Sequence, residues 1–140
     1  MKTVLHSLFA LMLATSIGNA QETTGITISV TIDNVVNDEG KVMASLHDEA
    51  SFMKNAGLQQ AETEIKNGKA TFTFNNVAPG TYAIMAMHDA NNNKKMDIEM
   101  NGMPIESYGM SGNNMSMGPP IFNDASFTVA DENLTFAIRF

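Results

Sequence analysis

The alternation of apolar and polar positions lays out most of this chain. Ile26, Ile28, Val30 and Ile32 alternate with Thr27, Ser29, Thr31 and Asp33. A period of two in β-branched residues predicts a half-buried strand. Val42, Ala44 and Leu46 resume the pattern after Asn37-Asp38-Glu39-Gly40, residue types that suit a turn, so the two strands are expected to form a hairpin. Residues 47 to 60 lose the alternation, and Asn55-Ala56-Gly57 reads as a helix end, which predicts a loop with one helical turn. Residues 62 to 66 read as a short strand. Asn67-Gly68 then predicts a tight primed turn, because both central residues need positive φ. Ala70, Phe72 and Phe74 share one face of the returning strand. After Val77-Ala78-Pro79-Gly80 the chain is apolar on both faces: Tyr82, Ile84 and Ala86 on one, Ala83, Met85 and Met87 on the other. A strand of that kind belongs in the middle of a packed sheet.

Residues 88 to 124 carry little periodicity and much Gly, Asn, Met and Pro. Loops this long inside a domain are usually functional or disordered. Residues 125 to 129 and 134 to 140 read as two final strands, split by Asp131-Glu132-Asn133. About seven short strands with turns between them predict an all-β fold, a β-sandwich with one long loop. Leu134, Phe136, Ile138 and Phe140 alternate down to a terminal Phe, as in outer-membrane barrels. The chain nevertheless holds too few strands of about ten residues for a barrel of about eight.

The first twenty residues have a different character. Lys2 is followed by a mostly apolar run over 5 to 13 and by the small residues Gly18-Asn19-Ala20. This is the pattern of a signal peptide cut after Ala20, leaving 21 to 140 as one exported domain, periplasmic or extracellular. The apolar run is too short to span a bilayer. With no Cys in the chain there is neither a lipid-modified cysteine nor a disulfide. Lys+Arg number 8 and Asp+Glu 15; removing Lys2 leaves 7 − 15 = −8 for residues 21 to 140. That charge disfavours nucleic acid and anionic membranes as partners. The expected form is a monomer without membrane insertion, with a protein or glycan partner.

Two stretches carry a family resemblance. Phe72-Thr-Phe-Asn-Asn-Val-Ala-Pro-Gly-Thr-Tyr82 resembles the strand-turn-strand of transthyretin-like and carboxypeptidase-regulatory-like sandwich domains. Further on come His88-Asp89-x-Asn91-x-Asn93-x-x-x-Asp97 and Gly102-x-Pro104-x-Glu106-x-Tyr108-Gly109-x-Ser111, then Pro120-x-Phe122-x-x-Ala125-x-Phe127. Together they resemble the bacterial secreted "domain of unknown function 2141" family (DUF2141) over nearly all of 25 to 140. The resemblance implies an exported, immunoglobulin-like (prealbumin-like) β-sandwich and no known activity. The chain departs from the family pattern in carrying Met where Phe, Leu or Ile is more frequent.

Three sites are candidates. Asp89, Asn91, Asn93 and Asp97 occupy positions one, three, five and nine of a calcium-loop template, a spacing that turns alternate oxygens toward a hard cation. The template's sixth-position Gly is Lys94 and its twelfth-position Glu is Met100, so Glu99 or Glu106 must supply the missing carboxylate. With two firm acids the affinity belongs in the weak extracellular range, a Kd of about 10⁻⁴ to 10⁻³ M. The plainer reading is a turn whose Asn and Asp side chains bond their own backbone, and Lys94 and Lys95 favour it. The second candidate is a copper carrier: soft thioethers of Met103, Met110, Met115 and Met117, with His47 and His88, suit Cu(I). Against it, Met is an adaptable packing residue and no tight Met-x-x-Met run is present. The third is a zinc or acid–base site at His47-Asp48 and His88-Asp89, if both steps emerge at one end of the fold.

No enzyme is expected. Gly109-Met110-Ser111-Gly112-Asn113 lacks the second Gly of a nucleophile elbow. Glu106 and Asp97 could pair as carboxylates, but spacing does not fix their separation. Taken together, the sequence predicts an exported binding or structural module, with a weak calcium loop and otherwise no cofactor.

Overall fold

The computed structural model describes residues 25–114 and 118–140. The expected signal peptide lies outside the described residues, as do Met115 and Met117. Among the described residues eight strands and one short helix follow in order: β1 (Ile26–Ile32), β2 (Lys41–His47), β3 (Gln59–Thr63), β4 (Ala70–Val77), β5 (Gly80–Asp89), β6 (Tyr108–Met110), α1 (Phe122–Ala125), β7 (Phe127–Val129) and β8 (Leu134–Ala137). They form two sheets. One has the order β4-β1-β8, and the other β3-β2-β5-β6 with β7 also paired to β5. No helix among the described residues is long and apolar enough to cross a membrane.

Alternation builds the core as expected. Ile26, Ile28, Val30 and Ile32 of β1 are all buried, with partly exposed residues between them. They join Phe72 and Phe74 of β4, Val42 and Leu46 of β2, and Ile84 and Ala86 of β5 in one cluster shared by both sheets. Each large side chain buried there contributes about 1.5–3 kcal/mol. In β4 the register slips: Ile28 pairs with Phe74 but Ile26 with Val77, so β4 spends one extra residue. Asn76 takes it up with a φ of 55°. The bulge turns Val77 back to the core side, where strict alternation would have faced it outward.

The hairpin expected between β1 and β2 does not form. Both edges of β1 are taken, by antiparallel β4 and by parallel β8, so β2 pairs instead with β3 and β5. Residues 33 to 40 cross between the sheets. Val35 is buried on the way, its N–H donating to the Gly68 carbonyl at 3.0 Å. The Asp38 carboxylate accepts the N–H of Asn67 (2.9 Å) and of Gly68 (2.7 Å). That turn has the expected left-handed pair, φ 54° at Asn67 and 70° at Gly68. Its hairpin ends at the single Lys66–Lys69 bridge, because β3 and β4 belong to different sheets.

β5 is the central strand that its sequence predicts. Its core face carries Ile84 and Ala86. Its outer face is covered by a second cluster of Phe52, Ala83, Met110 and Ala125, with Met85 and Phe122 packed against it. The long aperiodic stretch is also more structured than its pattern implies: it contains β6, α1 and an isolated Ile98–Pro104 bridge. Ser111 ties these pieces to β5. Its hydroxyl accepts the Ile84 N–H at 2.9 Å and donates to the Ala125 carbonyl.

Candidate functional site

The site grows from the end of β5. Asp89 closes the strand, opposite Lys41 of β2, and is 1% exposed. Its two oxygens are spent on the loop that follows: Oδ1 accepts the Asn93 N–H at 3.0 Å and Oδ2 the Lys94 N–H at 2.9 Å. Gly40 makes room for this. A Cβ there would lie 2.0 Å from the Asp89 carbonyl oxygen, and its φ is +65°. Next to it, His88 Nε2 sits 2.7 Å from the Glu39 carbonyl oxygen. The 37–40 turn therefore clamps the base of the loop.

Within the loop the Asn and Asp side chains bond backbone and one another. Asn91 Oδ1 accepts the Asn93 N–H (3.0 Å), and Asn93 Oδ1 accepts the Lys95 N–H (2.9 Å). The amide nitrogens of Asn91 and Asn93 both donate to the Asp97 carboxylate, at 2.7 and 2.9 Å. Glu106 braces the two ends: Oε1 accepts the Ala90 N–H at 3.2 Å and Oε2 the Asp97 N–H at 3.3 Å. Asp89, Asn91, Asn93, Asp97 and Glu106 thus form one connected network. Glu99 is used elsewhere, on the Asn101 side-chain amide.

The departures from the calcium template can now be placed. At the sixth position Lys94 has a φ of 62°, the left-handed conformation the template's Gly supplies. Holding a Lys there costs roughly 1–2 kcal/mol. Its ammonium points away to β3, 3.7 Å from Glu62 Oε2, where Lys41 also binds Glu62 at 2.8 Å. At the twelfth position Met100 is fully exposed. Of the two carboxylates the sequence offered for that position, Glu106 is buried against the loop. Among the described residues no three His, Cys, Asp or Glu side chains gather closely enough to hold a metal. Any cation here would depend on the amide oxygens of Asn91 and Asn93. Each of these already accepts one N–H and keeps a second lone pair.

Above this base the chain makes a short tongue. Glu99 N–H donates to the Met103 carbonyl and Ile105 N–H to the Asp97 carbonyl, both at 2.8 Å. The tongue turns its apolar side chains outward: Ile98 is 59% exposed, Met100 108%, Met103 61% and Ile105 63%. Sequence reading missed this hairpin, since its alternation is broken at Asn101-Gly102.

The other candidates are not brought together. His47 lies opposite Ala83 and His88 opposite Val42, so they are five residues apart along β5, about 17 Å. They also face opposite sides, His88 in line with core residues Ile84 and Ala86 and His47 against Phe52 of the outer cluster. The two His-Asp steps therefore emerge at opposite ends of the strand pair. Alternating side-chain direction and antiparallel pairing separate them. Of the copper set, Met103 sits on the exposed tongue and Met110 is buried within the outer cluster. Asp97 and Glu106 are joined through the Asp97 backbone N–H.

A family model described as "Uncharacterized protein conserved in bacteria (DUF2141)" matches residues 30–137. No curated protein and no solved structure matches the chain.

Proposed function

The chain belongs to the DUF2141 family of bacterial proteins, and from that premise we propose that it is an exported, non-enzymatic binding module. On this reading it is an immunoglobulin-like (prealbumin-like) sandwich whose working end is the loop region beyond β5. The 89–97 loop takes a calcium ion weakly and steadies the 97–105 tongue, which offers its apolar side chains to a protein or glycan partner.

The observation that carries the reading is the conformation of Lys94. A Lys held at φ 62° in the template's sixth position, with Asp89 capping that turn, is the backbone course a calcium loop needs. The exposed Ile98, Met100, Met103 and Ile105 of the tongue support the recognition role, since apolar side chains left in water gain by being covered by a partner. Among the described residues no observation favours the copper carrier.

A thermal melt of the chelator-treated protein, repeated in about 1 mM calcium, tests the cation. With a Kd of about 10⁻⁴ M, calcium adds about 1.4 kcal/mol, a rise in Tm of about 5 °C for a domain this size. The rise is expected to vanish in Asp89→Asn/Asp97→Asn. An unchanged Tm would leave the loop as a self-bonded turn.

A further inference from the structure

We propose that residues 48–58 form a flap that the uncharged side chain of His47 latches onto the outer face of β2 and β5, and that proton uptake by this side chain releases it. The flap is a run of hydrogen-bonded turns, with Met53 at a φ of 59°. Phe52 N–H donates to the Asp48 carbonyl at 3.0 Å and Asn55 N–H to the Ser51 carbonyl at 3.2 Å. Asp48 and Ser51 cap one another: the Ser51 N–H reaches Asp48 Oδ1 at 2.8 Å and the Asp48 N–H reaches Ser51 Oγ at 3.1 Å. Leu58 N–H, at the far end, returns to the Leu46 carbonyl at 2.7 Å. Phe52 carries the packing, edge-on to Phe122 with ring centroids 5.6 Å apart, over Ala83 and Met110.

His47 sits at the seam between flap and sheet and is 3% exposed. Its Nε2 lies 2.7 Å from Ser45 Oγ, and its ring meets Phe52 edge-on at 5.9 Å. Gly57 approaches so closely that a Cβ there would be 3.1 Å from the ring. Nδ1 is buried without a hydrogen-bond partner. A neutral imidazole tolerates this, with Nδ1 as its unprotonated nitrogen. A second proton would place a charge in a buried seam beside Phe52, Ala83 and Gly57, which is costly.

The surroundings offer little compensation. β2 contributes Ser45, β5 contributes Ala83, and the flap contributes Ser51, Phe52 and Gly57, none of them charged. Among the described residues Asp48 is the charge that acts on the ring, and its carboxylate is engaged by Ser51. Burial pushes the imidazole below its ordinary value, against smaller upward pulls from the Ser51 backbone and Asp48. The open form keeps the ordinary pKa of about 6.5, so it takes the proton first. The latch holds above that value and weakens as pH falls below it. Release uncovers Ala83 and Met110 at the end of the strand pair opposite the oxygen-rich loop.

Residue-resolved amide exchange at about pH 7.5 and about pH 5, with an NMR titration of the His47 ring, tests this. Corrected for intrinsic exchange, the Phe52 and Asn55 amides are expected to lose protection by about tenfold at the lower pH, while β1 amides keep theirs. His47→Gln, which has no titrating ring, is expected to remove the difference. The loss of protection should begin near the open form's ordinary value and level off at the ring's own midpoint in the unaltered protein, which decides the matter even if the variant fails to fold. A ring midpoint at or above about 6.5, or flap protection that ignores the ring's protonation, would overturn the proposal.

Discussion

The two loops that leave opposite ends of the β2–β5 pair are held down by different physics. Residues 48–58 bury their apolar group: Phe52 is 6% exposed and packs between His47 and Phe122. Residues 89–106 bury two of their acids instead. Asp89 and Glu106 lie inside, holding backbone N–H groups, while Ile98, Met100, Met103 and Ile105 face solvent. An apolar loop is secured by area and is indifferent to most solutes. A polar-braced loop is secured by acceptors, so a cation, a charge change or a lost acceptor can reset it. A recognition surface is better hung on the second kind, because its apolar groups need not be spent on holding it in place.

The comparison can be broken from either side, and the largest effect is expected at the base of the polar loop. Gly40→Ala drives a Cβ into the Asp89 carbonyl in a backbone conformation that disfavours side chains. Overlap and strain together should cost about 4 kcal/mol in denaturant unfolding. Phe52→Ala tests the apolar loop. It removes both edge-on ring contacts and should cost about 3 kcal/mol, with the loop at 89–106 unchanged in its exchange pattern. Met100→Ser, at a fully exposed tongue position, should leave stability within about 0.5 kcal/mol of the parent. A large loss there would mean that the tongue is packed against something rather than displayed.

How much of this was legible in the sequence depends on range. Alternation found β1, β2, β4 and β5 because side-chain direction repeats every second residue whatever the strand pairs with. Pairing is a different matter. Val35, buried in the crossing, and Asp38, capping a turn about thirty residues away, decide that β1 and β2 part company. Neither leaves a local periodic mark. β6 has three residues and α1 four, too few for a period to show. The loop at 89–97 was readable because its ligand-like spacing is local, and Glu106 was one of two carboxylates that could complete it. Gly40 was read only as a turn residue, since its contact with Asp89 exists only after β2 and β5 pair. The role of Ser111, rejected as a nucleophile, was hidden in the same way: its partners are the backbones of Ile84 and Ala125.

The most direct test of the polar loop as the working end is amide exchange at neutral pH with and without about 1 mM calcium. The account predicts that the Asn93, Lys94 and Asp97 amides, bonded to Asp89 and Glu106, slow by about tenfold with calcium, while Phe52 and Asn55 do not change. Exchange in the 89–97 loop that ignores calcium, or slowing spread evenly over both loops, would contradict it.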